Sequence, residues 1–362
     1  MLASNLTPRT QFDNPDQLTA AEPPEHRGLT RDGVRLLVAA ETGITHARFR
    51  DLQRFVDPGD LLVVNNSATI AAELDALRRG GGDAVLHVAT ELDDGSWVVE
   101  LRSAPDAAKP ILDAAPGEVV DLEDEVALTL IEPYPKQGSS PTGAGTRLWR
   151  ARVDQSSLQT ALRHHGRPVA YGYLDRSYPL DDYQTVFGAN PGSAEMPSAG
   201  RPFTSDLVTR LVSCGVSMAA VTLHTGVSSQ DAGESPQPER FEVSHSAARL
   251  VNATKAGGGR VIAVGTTVTR ALETAAGPDG TVAASAGWTE RVISPRDPVR
   301  VVDGLISGWH NPDASHLLLV ESVAGADLTQ RAYAAAYSEG YLWHEFGDSC
   351  LLLPRRALAV VA

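Results

Sequence analysis

From about Glu73 to Val153 the chain breaks into short apolar segments separated by Gly, Pro and Asp turns: Ala84–Ala89, Ser96–Leu101, Glu118–Leu122, Val126–Ile131 and Thr146–Val153. Regular short strands with turn signals predict a small antiparallel β-barrel or sandwich. The Gly/Ser/Pro-rich run Gln137–Thr146 reads as an exposed hairpin loop within it.

Both flanks have a different texture. Val34–Ala39 reads as a strand, His46–Phe55 as a helix, and Leu61–Val64, after the turn Pro58-Gly59-Asp60, as a buried strand. From Ser156 onward helix and strand patterns alternate, which predicts an α/β region. Thr204–Cys214 has helical spacing with Thr204 as N-cap, and Val216–His224 is a strand. His245–Ala256 reads as a helix, Arg260–Val264 as a strand, and Thr267–Ala276, Asp313–Ala324 and Leu328–Glu339 as helices. Residues 1–74 and 156–362 are therefore expected to build one α/β domain (mixed sheet or barrel-like), with residues 75–155 inserted as a β-barrel-like domain.

Composition fits a folded globular chain of 362 residues, with 42% hydrophobic and 21% charged residues. The first twenty residues lack an apolar core behind a basic start, and no apolar run is long enough to cross a bilayer, so no leader and no membrane partner are expected. Cys214 and Cys350 cannot make a disulfide framework and lack zinc-ligand clustering; they read as small buried apolar groups, in a cytoplasmic protein without a metal. The net charge of −14, with no basic run longer than a pair, lowers the expectation of a nucleic-acid partner.

Several stretches could carry chemistry. Arg260–Glu273 (RVIAVGTTVTRALE) reads as strand, tight turn and amphipathic helix. Gly265 allows the turn, Thr266 and Thr267 can cap the helix, and free amides there favour an anionic group of a ligand, with Arg270 one helical turn on. An ordinary strand-to-helix connection is the plainer reading. His224 ends a strand and His310 precedes a helix, positions suited to proton transfer; a satisfied structural histidine stands beside that reading for each. Tyr183-Gln184-Thr185 places polar groups before a Gly/Pro-rich loop, which suits ligand binding. Asp348, ahead of the apolar Leu351–Leu353, needs a partner and reads as a hydrogen-bond hub. His87, His164, His165 and His245 receive no role, and Trp309 reads as packing before stacking on a ligand.

The order of these stretches resembles the S-adenosylmethionine:tRNA ribosyltransferase-isomerase family of queuosine biosynthesis. The resemblance runs through Arg35–Val38, Phe49–Leu52, Gly59–Asn65, Tyr183–Val186, Gly192-Ser193, Phe203-Thr204, Thr222–His224, Ala263–Thr267, Arg270, Leu272-Glu273, Val302-Asp303, His310, Pro312 and Gly347-Asp348. It implies an α/β domain with an inserted small β-barrel. It also implies transfer of the ribosyl part of S-adenosylmethionine, as co-substrate, onto a 7-aminomethyl-7-deazaguanine in tRNA, with release of adenine and methionine. His224, His310 and Asp348 fall on matching positions of the right type to carry protons.

The chain departs from the family pattern at several points. Asn-Asp-Thr-Arg reads Asn65-Asn66-Ser67-Ala68, Glu73 replaces an Arg, and Ala-Gly-Leu-His-Phe-Thr reads Ala199-Gly200-Arg201-Pro202-Phe203-Thr204. His-x-Met-His reads Glu234-Ser235-Pro236-Gln237, and Pro-Pro-Tyr reads Tyr171-Gly172-Tyr173. Two other readings therefore stand beside the family reaction: a relative joining S-adenosylmethionine or a similar nucleoside to a small-molecule acceptor, and a non-catalytic nucleoside-binding protein. On charge and the missing arginines, tRNA is a possible but doubtful partner. Oligomeric state is not legible.

Overall fold

The computed structural model describes residues 7–13, 16–136, 145–153, 155–227, 234–312 and 314–354. Most of the Gln137–Thr146 loop lies outside the described residues. The chain enters through a hairpin of β1 (Arg35–Ala40) and β2 (Gly43–Arg48), followed by β3 (Leu61–Asn65) and the short β4 (Ser67–Thr69). The expected helix over His46–Phe55 is not formed. Its first residues belong to β2, paired antiparallel with β1 from Arg35↔Arg48 to Ala40↔Gly43, and only Phe49–Arg54 coils, as a 3₁₀ turn. The hairpin captures the β-branched Ile44 and Thr45, overriding the helical spacing.

Six strands follow: β5 (Glu73–Arg78), β6 (Gly82–Glu91), β7 (Trp97–Ser103), β8 (Val119–Asp121), β9 (Ala127–Pro133) and β10 (Leu148–Arg152). They close into an antiparallel barrel in the order β10-β7-β6-β5-β8-β9. Closure leaves no unpaired edge. Inward residues such as Leu86, Val99, Leu128 and Trp149 fill the barrel, and Leu158 and Ala161 of α1 (Gln155–His165) pack on the same cluster.

The remaining elements are β11 (Asn190–Ser193), α2 (Ser205–Ser213), β12 (Ser217–Leu223), β13 (Glu239–Val243), α3 (His245–Ala256) and β14 (Val261–Val264). After them come α4 (Thr266–Thr274), β15 (Ser285–Thr289), β16 (Gly304–Ser307), α5 (Ser315–Ala324), α6 (Ala326–Ser338) and β17 (Ser349–Leu353). Nine strands form one mixed sheet in the order β15-β13-β12-β3-β14-β16-β17-β1-β2. The central strands β12, β3, β14 and β16 are parallel neighbours.

A strand buried on both faces reads as a continuous apolar run, and Leu61–Val64 is one. Leu61 and Val63 face the cluster that takes Val251 of α3, Leu272 of α4, Leu317 of α5 and Ala332 of α6. Leu62 and Val64 face the opposite cluster, with Leu207 and Leu211 of α2 and Phe49. The result is a three-layer α/β domain carrying a small antiparallel barrel, the expected fold class. Thr204 caps α2 by accepting from the Leu207 amide at 3.1 Å, as its sequence position predicts. Of the two cysteines Cys350 is buried but Cys214 is exposed, because it follows α2 on its outer side. No described helix is long and apolar enough to cross a membrane.

Candidate active site

Because β12, β3, β14 and β16 are adjacent and parallel, they end together on one edge of the sheet. In open α/β sheets ligands bind outside the carboxyl ends of the strands. Here that edge carries His224 after β12, Asn65 at the end of β3, Gly265 after β14, and Ser307 and His310 at and after β16. β17 runs antiparallel to β16, with Ser307↔Cys350 in register, so Asp348 and the run before it reach the same edge. At about 4.8 Å between strands, four strand ends span roughly 15 Å, a length suited to a nucleoside with its substituents.

At one end of this edge, the His224 Nδ1 lies 2.7 Å from the Ser67 hydroxyl, which is 2.6 Å from that of Ser193. Asn65 fixes the arrangement: its side chain donates to the Leu223 carbonyl (2.8 Å) and accepts from the amides of Ser67 (3.0 Å) and Leu223 (3.1 Å). Gly192 sits against the ring with φ +157; a Cβ there would meet His224 Nδ1 at 2.6 Å, so only glycine fits. Burial, and then the charge of Arg240, push His224 below its usual pKa, so it is a neutral imidazole at physiological pH.

Nearer the middle, His310 Nε2 lies 3.0 Å from the Ser307 hydroxyl, and its ring stacks on that of His316 with centroids 4.9 Å apart. Burial first, then the His316 and His344 rings, hold His310 well below the ordinary range. Burial and the Arg270 charge bring His316 down to about 4. His316 and His344 went unnoticed in the sequence, since each lies in a helix or turn with no motif of its own.

A third group was also missed. The Tyr173 hydroxyl donates to Glu345 and the Tyr171 hydroxyl to Glu195. Tyr173 is stacked between Tyr171 (6.1 Å) and His344 (4.5 Å). Burial, with neighbouring Glu195, lifts Glu345 to about 7. The only sequence signal was the departure at Tyr171-Gly172-Tyr173.

The other expected site residues have internal partners. Arg270 is buried; its guanidinium binds Glu239 and donates to the carbonyls of Gln237 (3.0 Å), Thr289 (3.3 Å) and Arg291 (3.3 Å). It ties α4 to β13 and β15. Gly265, with φ +101, turns the chain into α4, leaving Thr266 and Thr267 in the first turn; Asn65 Nδ2 lies 3.5 Å from the Thr267 hydroxyl. Gln184 exchanges two hydrogen bonds with the backbone of Thr69 (3.2 and 2.8 Å), Thr69 donates to the Tyr183 carbonyl (2.8 Å), and Thr185 caps Phe187. This run clamps β4. The Asp348 carboxylate accepts from the amides of Arg35 (2.7 Å) and Leu342 (2.9 Å) and from Arg35 Nε (3.1 Å), the hub its sequence position predicts. Trp309 is buried among Tyr333, Tyr341 and Trp343, so it packs.

His87, given no role in the sequence reading, is fully buried in the barrel. Its Nε2 lies 2.8 Å from Glu73 and its Nδ1 3.8 Å from Glu100. Arg167 holds Glu73 at 2.6 Å, so the acid that replaces a family arginine has its own cation. Arg102 and Arg147 flank Glu100, and Arg147 reaches on to Glu234 at 2.8 Å. Glu234 accepts from Gln237 (3.0 Å), whose carbonyl receives Arg270. The barrel is thus tied to α4 by ion pairs as far as Glu234 and by the neutral Gln237 from there to Arg270. Separately, Asp124, His164 and His165 lie exposed on the barrel and the end of α1, with ligand atoms within 4.8 Å of one another, close enough to hold a metal ion.

The family model described as "Queuosine biosynthesis protein" matches residues 8–352. The chain belongs to this family. An S-adenosylmethionine:tRNA ribosyltransferase-isomerase of Acidiphilium cryptum is 36% identical over 349 residues, covering 93% of this chain and 96% of the relative. One of the same name from Thermus thermophilus is 35% identical over 344 residues, covering 89% and 93%. The crystal structure of an S-adenosylmethionine tRNA ribosyltransferase from Thermotoga maritima superposes with a TM-score of 0.52 at 27% identity, over 95% of this chain and 99% of that one. The reserve about tRNA drawn from net charge sits against these names. Net charge sums the whole surface, whereas a phosphate backbone meets only one face.

Proposed function

We infer that this family member is an S-adenosylmethionine-dependent transferase-isomerase that moves a ribosyl group onto a 7-aminomethyl-7-deazaguanine of tRNA, in queuosine biosynthesis and in the cytoplasm. The observation that supports this best is near-full-length similarity, at 33–36% identity, to proteins bearing that activity in their names. Neither a small-molecule acceptor nor a non-catalytic scaffold draws support from those relatives.

The residues along the sheet edge fit the demands of such chemistry. S-adenosylmethionine supplies a sulfonium that acidifies the adjoining carbon and a nucleoside that can leave as adenine; base and acid must come from the protein. Protonated imidazoles would repel a sulfonium. Burial keeps His224, His310 and His316 neutral, so a cation can approach and a ring nitrogen can accept a proton. We assign the proton carriers to His224 and His310. The first turn of α4, with Thr266 and Thr267, offers amides to the carboxylate end of the co-substrate. Asp348, Arg270 and Tyr183–Thr185 are assigned to positioning: each holds a strand end or loop of the edge through the bonds described above.

The acceptor is tested by binding. A gel shift with an anticodon stem-loop should show an affinity that falls steeply between low and physiological salt, because each phosphate contact releases counterions. Binding that is absent at low salt would remove tRNA as acceptor.

A further inference from the structure

We propose that Glu345, held by Tyr173 beside Glu195, receives a primary ammonium group of a substrate. This rests on the reading of the edge as the reaction site. Glu345 is half-buried, and its carboxylate meets the Tyr173 hydroxyl but no Arg, Lys or His within ion-pair distance among the described residues. Glu273 and Glu321 also lack an ion pair among the described residues. They accept two or more hydrogen bonds each, from backbone amides or from the amide and hydroxyl of Thr10, whereas four other acids each carry a cation. Asp348 has Arg35, Glu239 has Arg270, Asp60 has Arg260, and Glu100 has two arginines. A second carboxylate, Glu195, acts on Glu345 electrostatically and adds to the effect of burial. A carboxylate drawn out of water beside a like charge is stabilised by an arriving cation and destabilised by an arriving phosphate.

Hydrogen-bond chemistry selects among cations. The Tyr173 O–H and the residue's own backbone amide still leave lone pairs of the Glu345 carboxylate for further donors. An ammonium brings three N–H donors, whereas a sulfonium brings none, so a primary amine is the better match. The seat is also preorganised. Tyr173 is stacked at 4.5 Å and 16° on His344 and backed by Tyr171, so its hydroxyl fixes the Glu345 carboxylate before a ligand arrives. His344 in turn acts on His310, which puts the seat within electrostatic reach of that proposed proton carrier.

Two substrate amines share this chemistry: the aminomethyl of the acceptor base and the amino group on the methionine end of the co-substrate. The test is calorimetry on the full chain and its Glu345→Gln variant, titrating free 7-aminomethyl-7-deazaguanine and S-adenosylmethionine separately. Methylthioadenosine, which has no amine, serves as control. Glutamine can still accept from Tyr173, so the variant should keep the wild-type melting temperature. The expected result is a loss of about tenfold to a hundredfold in affinity for one of the two amines, the range for a charged hydrogen bond. The control ligand should be unaffected, and which amine responds identifies the occupant. Unchanged affinity for both, in a folded variant, overturns the proposal. Affinity loss without turnover in the wild type would keep the seat and reject the assigned reaction.

Discussion

The imidazoles of His310 and His316 lie face to face, 4.9 Å apart and 7° from parallel, with His310 anchored to Ser307. Two protonated rings could not sit this way, which matches the downward shift of both. A histidine whose folded pKa is depressed binds its proton more readily when unfolded, so the fold loses stability as pH falls below the ordinary value of 6.5. For His316 that loss should continue down to about 4. Melting followed from pH 7 to pH 4 should decline, and His316→Leu should flatten part of the decline. An unchanged slope in that variant would mean the ring is solvated and titrates normally.

The fold was largely legible because its signals are local. The strand-only texture of Glu73–Val153 gave the barrel, and the apolar run Leu61–Val64 gave a strand buried on both faces. Gly265 was legible as the turn into α4 because its conformation is one that side chains resist. The site was legible only in part. His224 and His310 could be proposed from their positions after strands, whereas Glu195, His316, His344 and Glu345 come from separate loops and a helix with no motif to propose them. Exposure was misjudged for Cys214, since a single apolar letter in a short segment does not say which way it faces. Arg270 showed a helical partner spacing but not the carboxylate of Glu239, thirty-one residues away, that binds it.

The buried ion chain makes its own prediction. Glu100 is held down to about 2 because, although burial opposes ionisation, His87, Arg147 and Arg102 outweigh it. A carboxylate with a depressed pKa stabilises the fold above its ordinary 4.5 and ceases to do so as pH falls toward 2. Glu100→Gln leaves three cationic partners short of a charge, so urea denaturation at pH 7 should show a loss of about 3–5 kcal/mol. A loss below about 1 kcal/mol would show that the chain of charges contributes little.

Arg270→Ala should act on stability before it acts on ligand affinity. Removing the guanidinium strands Glu239 and three carbonyls, a loss of the same order, about 3–5 kcal/mol. Arg270→Ala combined with Glu239→Gln should recover part of it. A folded single variant that loses only S-adenosylmethionine affinity would return Arg270 to direct ligand contact.

His224→Ala should lower turnover by about 10²–10⁴-fold, the usual contribution of a proton carrier, with melting close to wild type. Ser67→Ala, which frees the ring from its hydroxyl, should reduce turnover less. Full activity in His224→Ala would reduce the residue to packing.

The central claim is tested most directly by incubating the pure protein with S-adenosylmethionine and an anticodon stem-loop carrying 7-aminomethyl-7-deazaguanine, then measuring adenine, methionine and RNA mass together. The account predicts equal release of adenine and methionine, with a matching gain of one ribosyl-derived unit on the RNA and none on a stem-loop carrying guanine. Adenine release without gain of mass on the RNA, or no release at all from folded protein, would contradict it.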